Sequence, residues 1–306
     1  MIDLILLYKW TIVSGAASAV ALSLLGTQLA TRERSMQTLC VSQGATVGVL
    51  LGMALFTRFH HSPLQHIGPL LFAILTSVLT LIISDHLVKD KTASRNTYFA
   101  FIFATLLACG HLVSSVFAAL ESHMAQIYFG DLVTLSTAQA QINFIIAAVG
   151  GLLLILFRNP IVNGSFENSV FGGNLYSGFI PSEMLFKVVS LLLLSLSVQF
   201  LGFLFTVAVL FVPTCLANSL KTKGLRVHLS MSVFLAVAGT ISGFILSLHF
   251  SRMPTVPVIV AVMLILGVTS VAVERVYLRI ASSFTAKNEA TETETGLNNF
   301  LTKPTL

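Results

Sequence analysis

The side chains best suited to binding a metal ion are histidines, and they are placed unevenly along the sequence. Five of the eight fall at or just beyond the ends of long apolar runs: His60, His61, His66, His123 and His249. Neutral imidazoles, together with the carboxylates of Glu121 and Asp131, are ligands that a borderline divalent cation accepts. We predict a capture site for such a cation, formed by His60, His61, His66, His123 and Asp131. The alternative is that these segments tolerate histidine and that the side chains never converge.

Three further polar or reactive side chains lie inside apolar runs, namely Cys40, Gln43 and His111. An imidazole, amide or thiol in such a place can contact a substrate that crosses a membrane, so we predict that these residues line a translocation pathway. A structural role is the alternative. A buried histidine more often hydrogen-bonds to a neighbouring helix, and a buried cysteine usually packs as a small apolar side chain.

The composition identifies the class of protein that must position these side chains. Of 306 residues, 55% are apolar and only 9% are charged, with a mean hydropathy of +0.90, whereas a soluble domain carries roughly 25% charged residues. This excludes a soluble enzyme, a disordered protein and a secreted disulfide scaffold. Cys40, Cys109 and Cys215 all lie in apolar runs without a disulfide or zinc-knuckle spacing. We predict an all-α, polytopic transmembrane helical bundle.

A crossing helix needs about 20 apolar residues, and the sequence contains nine such candidates. They lie near 5–30, 37–57, 67–85, 98–120, 137–157, twice within 184–219, and near 228–249 and 255–274. We expect the 184–219 pair to break near Gln199 to Gly202; a single kinked element there would reduce the total to eight. The first run is too long for a cleavable signal. In the second run, glycines at positions 44, 48 and 52 predict a helix-packing face.

The basic residues predict the orientation, since cytoplasmic loops retain Lys and Arg. With the N-terminus outside and the C-terminus inside, 14 of the 17 basic residues lie on the cytoplasmic side. The outer side keeps Lys9, Arg58 and Arg252. We therefore divide the chain into a transmembrane domain over 1–285, containing a cytoplasmic loop at 158–182, and a disordered cytoplasmic tail over 286–306.

Two features bear on the energy source. The sequence has no G-x-x-x-x-G-K-[ST] phosphate loop and almost no ionisable residue within its apolar runs. Because a proton- or sodium-driven transporter usually needs buried acids, we disfavour that class. A pore driven by an ATPase on a separate chain needs none, and the 158–182 loop could receive the motion of that ATPase.

Four stretches of this sequence, in this order, resemble the permease subunit of bacterial ABC importers for zinc, manganese or iron. They are Leu24–Gly26 with Arg32–Ser35, Tyr128–Ser136, Gln199–Gly202 with Leu210–Pro213, and Gly243–His249 with Pro254 and Pro257. The resemblance extends from about residue 10 to 275. It implies a homodimer that encloses one pathway and works by alternating access.

Two segments depart from the family pattern. Where the family has G-D-A-L-S-H, with an acid and an imidazole one turn apart, this chain has Leu39 and Gln43, so an intramembrane metal site cannot be carried over to these positions. Within the cytoplasmic loop, Ser165-Phe166-Glu167 resembles the family's S-F-D, followed by about three extra residues. We assign ATPase coupling to Ser165, Phe166, Glu167, Gly172 and Gly173.

The resemblance implies a transport subunit without enzymatic activity, in the bacterial inner membrane. It binds no cofactor itself; ATP and Mg²⁺ would sit on the partner ATPase. The expected partners are that ATPase, a substrate-binding protein, a second copy of the chain and the lipid bilayer, with no nucleic acid. Three alternatives stay open: a permease for a metal chelate such as a siderophore or haem, an ATP-independent secondary transporter or channel, and a membrane scaffold.

Overall fold

The computed structural model describes residues 6–32, 34–56, 64–88, 94–117, 120–159, 182–220, 224–250 and 253–276. This part of the chain forms ten helices of nine residues or more. In chain order they are α1 (Lys9–Thr31), α2 (Ser35–Phe56), α3 (Leu64–Val88), α4 (Arg95–Val116), α5 (Glu121–Phe129), α6 (Thr137–Leu156), α7 (Ser182–Leu201), α8 (Phe203–Ser219), α9 (Leu225–His249) and α10 (Thr255–Val276). The prediction of an all-α bundle is confirmed.

Eight of these helices are long and apolar enough to cross a membrane. The ninth predicted span is α8, whose 17 residues give a length of about 26 Å, slightly below the roughly 30 Å of a hydrocarbon core. The predicted break within 184–219 is confirmed and lies at Gly202, where φ is +87°. The short helix α5 lies between two spans and was not predicted.

The helices α1 and α2 occupy the centre of the bundle. Leu22 and Leu25 of α1 are fully buried in a cluster with Phe205 and Leu210 of α8 and Phe244 of α9. The outer helices α4 and α10 present large apolar side chains on their exposed faces, as helices that face lipid do. Because lipid tails are as apolar as leucine, close packing and interhelical hydrogen bonds must hold such helices together.

The glycine repeat of α2 packs against α3, as predicted. A Cβ at Gly48 would lie 2.7 Å from the Cα of Ala73, and one at Gly52 would lie 3.0 Å from the backbone nitrogen of Pro69. At Gly44 the backbone carbonyl accepts a hydrogen bond of 2.8 Å from the hydroxyl of Thr76. This face of α2 is therefore used for helix packing and is closed to a substrate.

Buried polar side chains join α1 to two further helices. The amide nitrogen of Asn143 on α6 donates to the hydroxyls of Ser14 and Ser18 on α1, at 3.0 Å in each case. On α9, the hydroxyl of Ser232 lies 2.9 Å from that of Ser23 on α1. These bonds set the rotation of α1 relative to its neighbours, since each polar atom is buried and requires its partner.

Charged side chains meet at one end of the bundle. At one end, the guanidinium of Arg32 lies 4.0 Å from the centre of the Phe186 ring, and Lys187 forms an ion pair with Asp85. At the opposite end, Gly130 contacts Leu201 and Gly202. The structure thus brings basic residues of α7 and of the connection after α1 to one end of the bundle, while the orientation in the membrane stays a prediction.

Candidate translocation pathway

Gln43 and His111 meet at a common partner, Tyr128. Gln43 is fully buried on α2, and its side-chain nitrogen donates a hydrogen bond of 3.0 Å to the hydroxyl of Tyr128 on α5. His111 on α4 stacks on the Tyr128 ring, with centroids 5.9 Å apart and planes 14° apart. The structure therefore joins two of the three predicted pathway residues through a residue that the sequence analysis had not singled out.

The absence of a side chain at Gly110 allows this approach. A Cβ at Gly110 would collide with the Tyr128 hydroxyl, so any larger residue would displace the phenol from this position. Phe203, the first residue of α8, adds an edge-on ring contact to Tyr128 at 6.4 Å. The helices α2, α4, α5 and α8 consequently converge on one phenol.

The carbonyl oxygen of Gln43 is buried and has no hydrogen-bond partner among the residues that the structure describes. Leaving such an oxygen unpaired costs roughly 1–3 kcal/mol, so this atom is available to a donor or a cation that reaches it. Tyr128, which lies outside the membrane-spanning helices, is only half-buried. Burial raises the pKa of its phenol, while the hydrogen bond from Gln43 opposes that rise. The phenol is therefore neutral at physiological pH, and its own hydrogen can be donated further.

Cys40 lies apart from these residues. It is buried between α2 and α4, and its thiol donates a hydrogen bond of 3.1 Å to the backbone carbonyl of Phe99. Leu39, at the position where the family carries an acid, is half-buried. The packing of Cys40 matches the structural alternative that the sequence analysis left open, and the thiol makes no contact with the Gln43–Tyr128 pair.

Asp131 is held in place by two hydrogen bonds. Its Oδ1 accepts from the backbone N–H of Val133 at 3.0 Å and from the hydroxyl of Thr255 at 3.1 Å. The first bond closes the turn after α5, and the second ties that turn to the first residue of α10. This carboxylate therefore has a structural task at the end of the bundle opposite the basic residues, while its second oxygen is free of those two bonds.

The histidines of the predicted capture site are only partly within the described residues. His123 and His249 are exposed there, whereas His60, His61 and the side chain of His66 lie outside the described part. Among the side chains that the structure describes, no three of His, Cys, Asp and Glu come together as a metal site would require. Convergence of the capture residues stays a prediction.

The proposed coupling residues also lie outside the described ranges, since Ser165, Phe166, Glu167, Gly172 and Gly173 fall between Asn159 and Ser182. The described residues resume at α7, whose first turns carry Phe186 and Lys187. These two residues contact Arg32 and Asp85 at the basic end of the bundle. The 158–182 segment therefore leads directly into a helix anchored at that end.

Several residues that shape this region escaped the sequence analysis. Tyr128 stood within a quoted motif, but nothing in the sequence connects it to Gln43, 85 positions away. Ser136 and Gln139 form a capping box at the start of α6, and that S-x-x-Q pattern is a local signal that the sequence does contain. Thr255, by contrast, carries no local signal for its contact with Asp131.

Comparison with known proteins places the chain within a family. The family model described as the ABC 3 transport family matches residues 5–274. Among solved structures, the chain is similar to PsaBC from Streptococcus pneumoniae in complex with Fab, with a TM-score of 0.69 and 17% identity, covering 88% of this chain and 95% of that chain. At that identity the likeness concerns the fold alone. No curated protein sequence matches the chain.

Proposed function

The chain belongs to the ABC 3 transport family, and from that premise we propose that it carries a divalent metal ion, zinc, manganese or iron, into the cell. As a member of this family, the chain is the multi-pass membrane permease of a metal-ion ABC importer in the bacterial inner membrane. It is not the ATPase of that importer. The match from residue 5 to 274 is the observation that carries the proposal, because it includes all ten helices except the last two residues of α10.

The proposed partners follow from this role. A separate ATPase, binding ATP and Mg²⁺, would supply the energy at the basic end through the 158–182 segment, and a substrate-binding protein would deliver the ion at the opposite end. Tyr128, on the short outer helix α5, would then lie between the delivery end and the interior. The bond from Gln43 to Tyr128 supports a role for α5 in closing the pathway on its outer side.

We further propose that two copies enclose the pathway along α4. The exposed face of α4 carries alanines at positions 100, 104 and 108, and small residues four apart let two helices approach closely. His111 lies one turn beyond Ala108 and is also exposed. It would therefore face the second copy together with the alanines. In such a dimer the two imidazoles, each stacked on its own Tyr128, would border a shared path.

A permease for a metal chelate is the second candidate, and the pair Leu39 and Gln43 favours it. These residues stand where the resemblance calls for an acid and an imidazole. A bare dication is strongly penalised in a low dielectric without ligands that replace its water. A chelate arrives with its ligands in place and needs only a path of suitable width.

Uptake into proteoliposomes that contain the complete complex tests both candidates. Zn²⁺, Mn²⁺ and Fe²⁺ are supplied in turn, each free and as a siderophore or haem-type chelate where one exists, with ATP inside and the binding protein outside. ATP-dependent accumulation of a free cation supports the metal-ion proposal. Accumulation of the chelate alone supports the second candidate, and accumulation without ATP contradicts both.

A further inference from the structure

A continuous set of polar contacts links three helices at the basic end of the bundle. Lys187 on α7 lies 3.3 Å from Oδ2 of Asp85 on α3. The other carboxylate oxygen, Oδ1 of Asp85, accepts a hydrogen bond of 2.6 Å from the side-chain nitrogen of Gln37 on α2. The same nitrogen lies 3.1 Å from the hydroxyl of Ser84. One carboxylate therefore connects α7 to α2.

The residues of this connection differ in how deeply they are buried. Gln37 and Ser84 are buried, whereas the side chains of Lys187 and Asp85 are 34% and 46% exposed. An ion pair this exposed contributes little to stability, but a charge-assisted bond to a buried amide is stronger and directional. The connection is thus anchored on α2 and open to solvent on α7, where the 158–182 segment ends.

The position of Gln37 on α2 relates this connection to the pathway. Gln37 and Gln43 lie six residues apart on one uninterrupted helix, which corresponds to about 9 Å along its axis. A helix moves as a rigid element over such a distance. Displacement of Gln37 therefore displaces Gln43, and with it the bond to Tyr128.

A small cleft of about 40 Å³ lies beside the contact, between α7 and α2. Gln37 and Lys187 both line it, together with apolar side chains that include Leu81, Leu191 and Leu194. A fully packed interface resists small displacements. Beside this small gap, the contact through Asp85 acts together with the buried hydrogen bond of 3.0 Å between Ser195 of α7 and Ser77 of α3 in positioning α7.

We propose that Gln37, Asp85 and Lys187 act as positioning residues that transmit movement from the ATPase-facing segment to the pathway helix α2. The inference rests on the proposed function, since it needs an ATPase that moves the 158–182 segment. When that segment shifts α7, Lys187 draws the Asp85 carboxylate, and the carboxylate pulls Gln37 and with it α2. The bond between Gln43 and Tyr128, about 9 Å further along α2, then responds to an event at the basic end of the bundle.

The test compares uptake with ATP hydrolysis in proteoliposomes holding the full complex with its ATPase, using the cation that the wild type accumulates. The variants are Asp85→Asn, Lys187→Met and the exchange Asp85→Lys with Lys187→Asp. Arg226→Met is the matched control, because it removes an exposed positive charge from the start of α9 without touching this connection. Assembly and thermal stability are measured for every variant.

We expect each single variant to assemble normally and to lower the number of cations moved per ATP by about fivefold, the lower end of typical coupling between sites. The exchange should recover part of that loss, and Arg226→Met should leave the ratio unchanged. The proposal is overturned by an unchanged ratio in both single variants, or by an equal loss in Arg226→Met. A wild-type complex that accumulates no cation would instead contradict the proposed function.

Discussion

Gly130 and Gly202 lie back to back at the end of the bundle opposite the basic residues. A Cβ at Gly202 would sit 2.6 Å from the backbone nitrogen of Gly130, and a Cβ at Gly130 would collide with the carbonyl of Leu201. Both residues have positive φ, +75° at Gly130 and +87° at Gly202, with ψ near 150–160°, a region open essentially to glycine alone. The end of α5 and the break between α7 and α8 therefore form one tightly packed joint.

Replacing Gly202 with alanine should destabilise this joint. Strain at the positive φ costs about 1–3 kcal/mol, and the collision with the Gly130 backbone adds to it. We expect a lower thermal unfolding midpoint of the purified protein and weaker uptake. Gly224→Ala is the control, since Gly224 has φ +105° but no atom of the described residues lies within 4 Å of its Cβ position. Equal losses in the two variants would mean that backbone strain alone, and not the contact with Gly130, matters.

Removing the Tyr128 hydroxyl should leave the Gln43 amide nitrogen buried without its partner. Tyr128→Phe should therefore destabilise the protein by roughly 1–3 kcal/mol, measured by thermal unfolding. The double variant Gln43→Leu with Tyr128→Phe removes both polar groups and should recover part of the loss. If the two changes are simply additive, the hydrogen bond is not what holds α5 against α2.

Gln43→Ala alone should reduce uptake only modestly, because Gln43 lacks the charge or imidazole of a strong cation ligand. Leu39→Asp with Gln43→His should add a cation site that equilibrium binding of Zn²⁺ or Mn²⁺ would detect. Unchanged metal binding and uptake in that double variant would show that these positions do not match the family's acid and imidazole. Abolished uptake in Gln43→Ala would instead make Gln43 the main selectivity point.

Variants at Asp131 and at its partner Thr255 can distinguish a structural role of this carboxylate from a role in ion capture. Asp131→Asn keeps an oxygen that can accept from Val133 and Thr255 but removes the charge, whereas Thr255→Val removes one bond and keeps the charge. If the carboxylate captures cations, Asp131→Asn should raise the apparent KM of uptake several-fold while stability is preserved. If its task is structural alone, uptake stays normal in Asp131→Asn and thermal stability falls by about 1 kcal/mol in Thr255→Val.

The proposed dimer along α4 can be tested by cross-linking in membranes. Ala104→Cys, in a background in which Cys109 and Cys215 are replaced by serine, should form a covalent dimer with a short bifunctional thiol reagent. Ile145→Cys is the control, because Ile145 is exposed on α6, away from the alanine face. Equal cross-linking at both positions, or none at Ala104→Cys, would contradict a dimer that is built on α4.

If the 158–182 segment couples the ATPase to transport, changes in this segment should impair uptake without impairing assembly. Glu167→Ala, and bulkier residues at Gly172 and Gly173, should leave assembly intact while ATP hydrolysis no longer drives uptake. A thiol introduced at Asn174 should react with impermeant reagents only from the cytoplasmic side. Labelling from outside would reverse the predicted orientation, and normal uptake in the loop variants would make the segment a simple connection.

The sequence by itself determined the long helices and their order, but not the short helix α5. Runs of about 20 apolar residues specify spans because the backbone must satisfy its own hydrogen bonds in lipid, and that requirement is local. The break at Gly202 and the packing face of α2 also followed from local patterns, namely a long run interrupted by glycine and a four-residue glycine repeat. The structure confirms both, with the break at Gly202 and the glycine repeat packed against α3.

Only the tertiary structure decided which polar side chains meet. The partners Gln43 and Tyr128 are 85 positions apart, Asp85 and Lys187 are 102 apart, and Asp131 and Thr255 are 124 apart. Each contact depends on how two helices are rotated about their own axes and at what depth they pack. Apolar helices that are hydrophobic all round carry no marker of that rotation, so long-range packing assigns the partners of Tyr128 and Asp131.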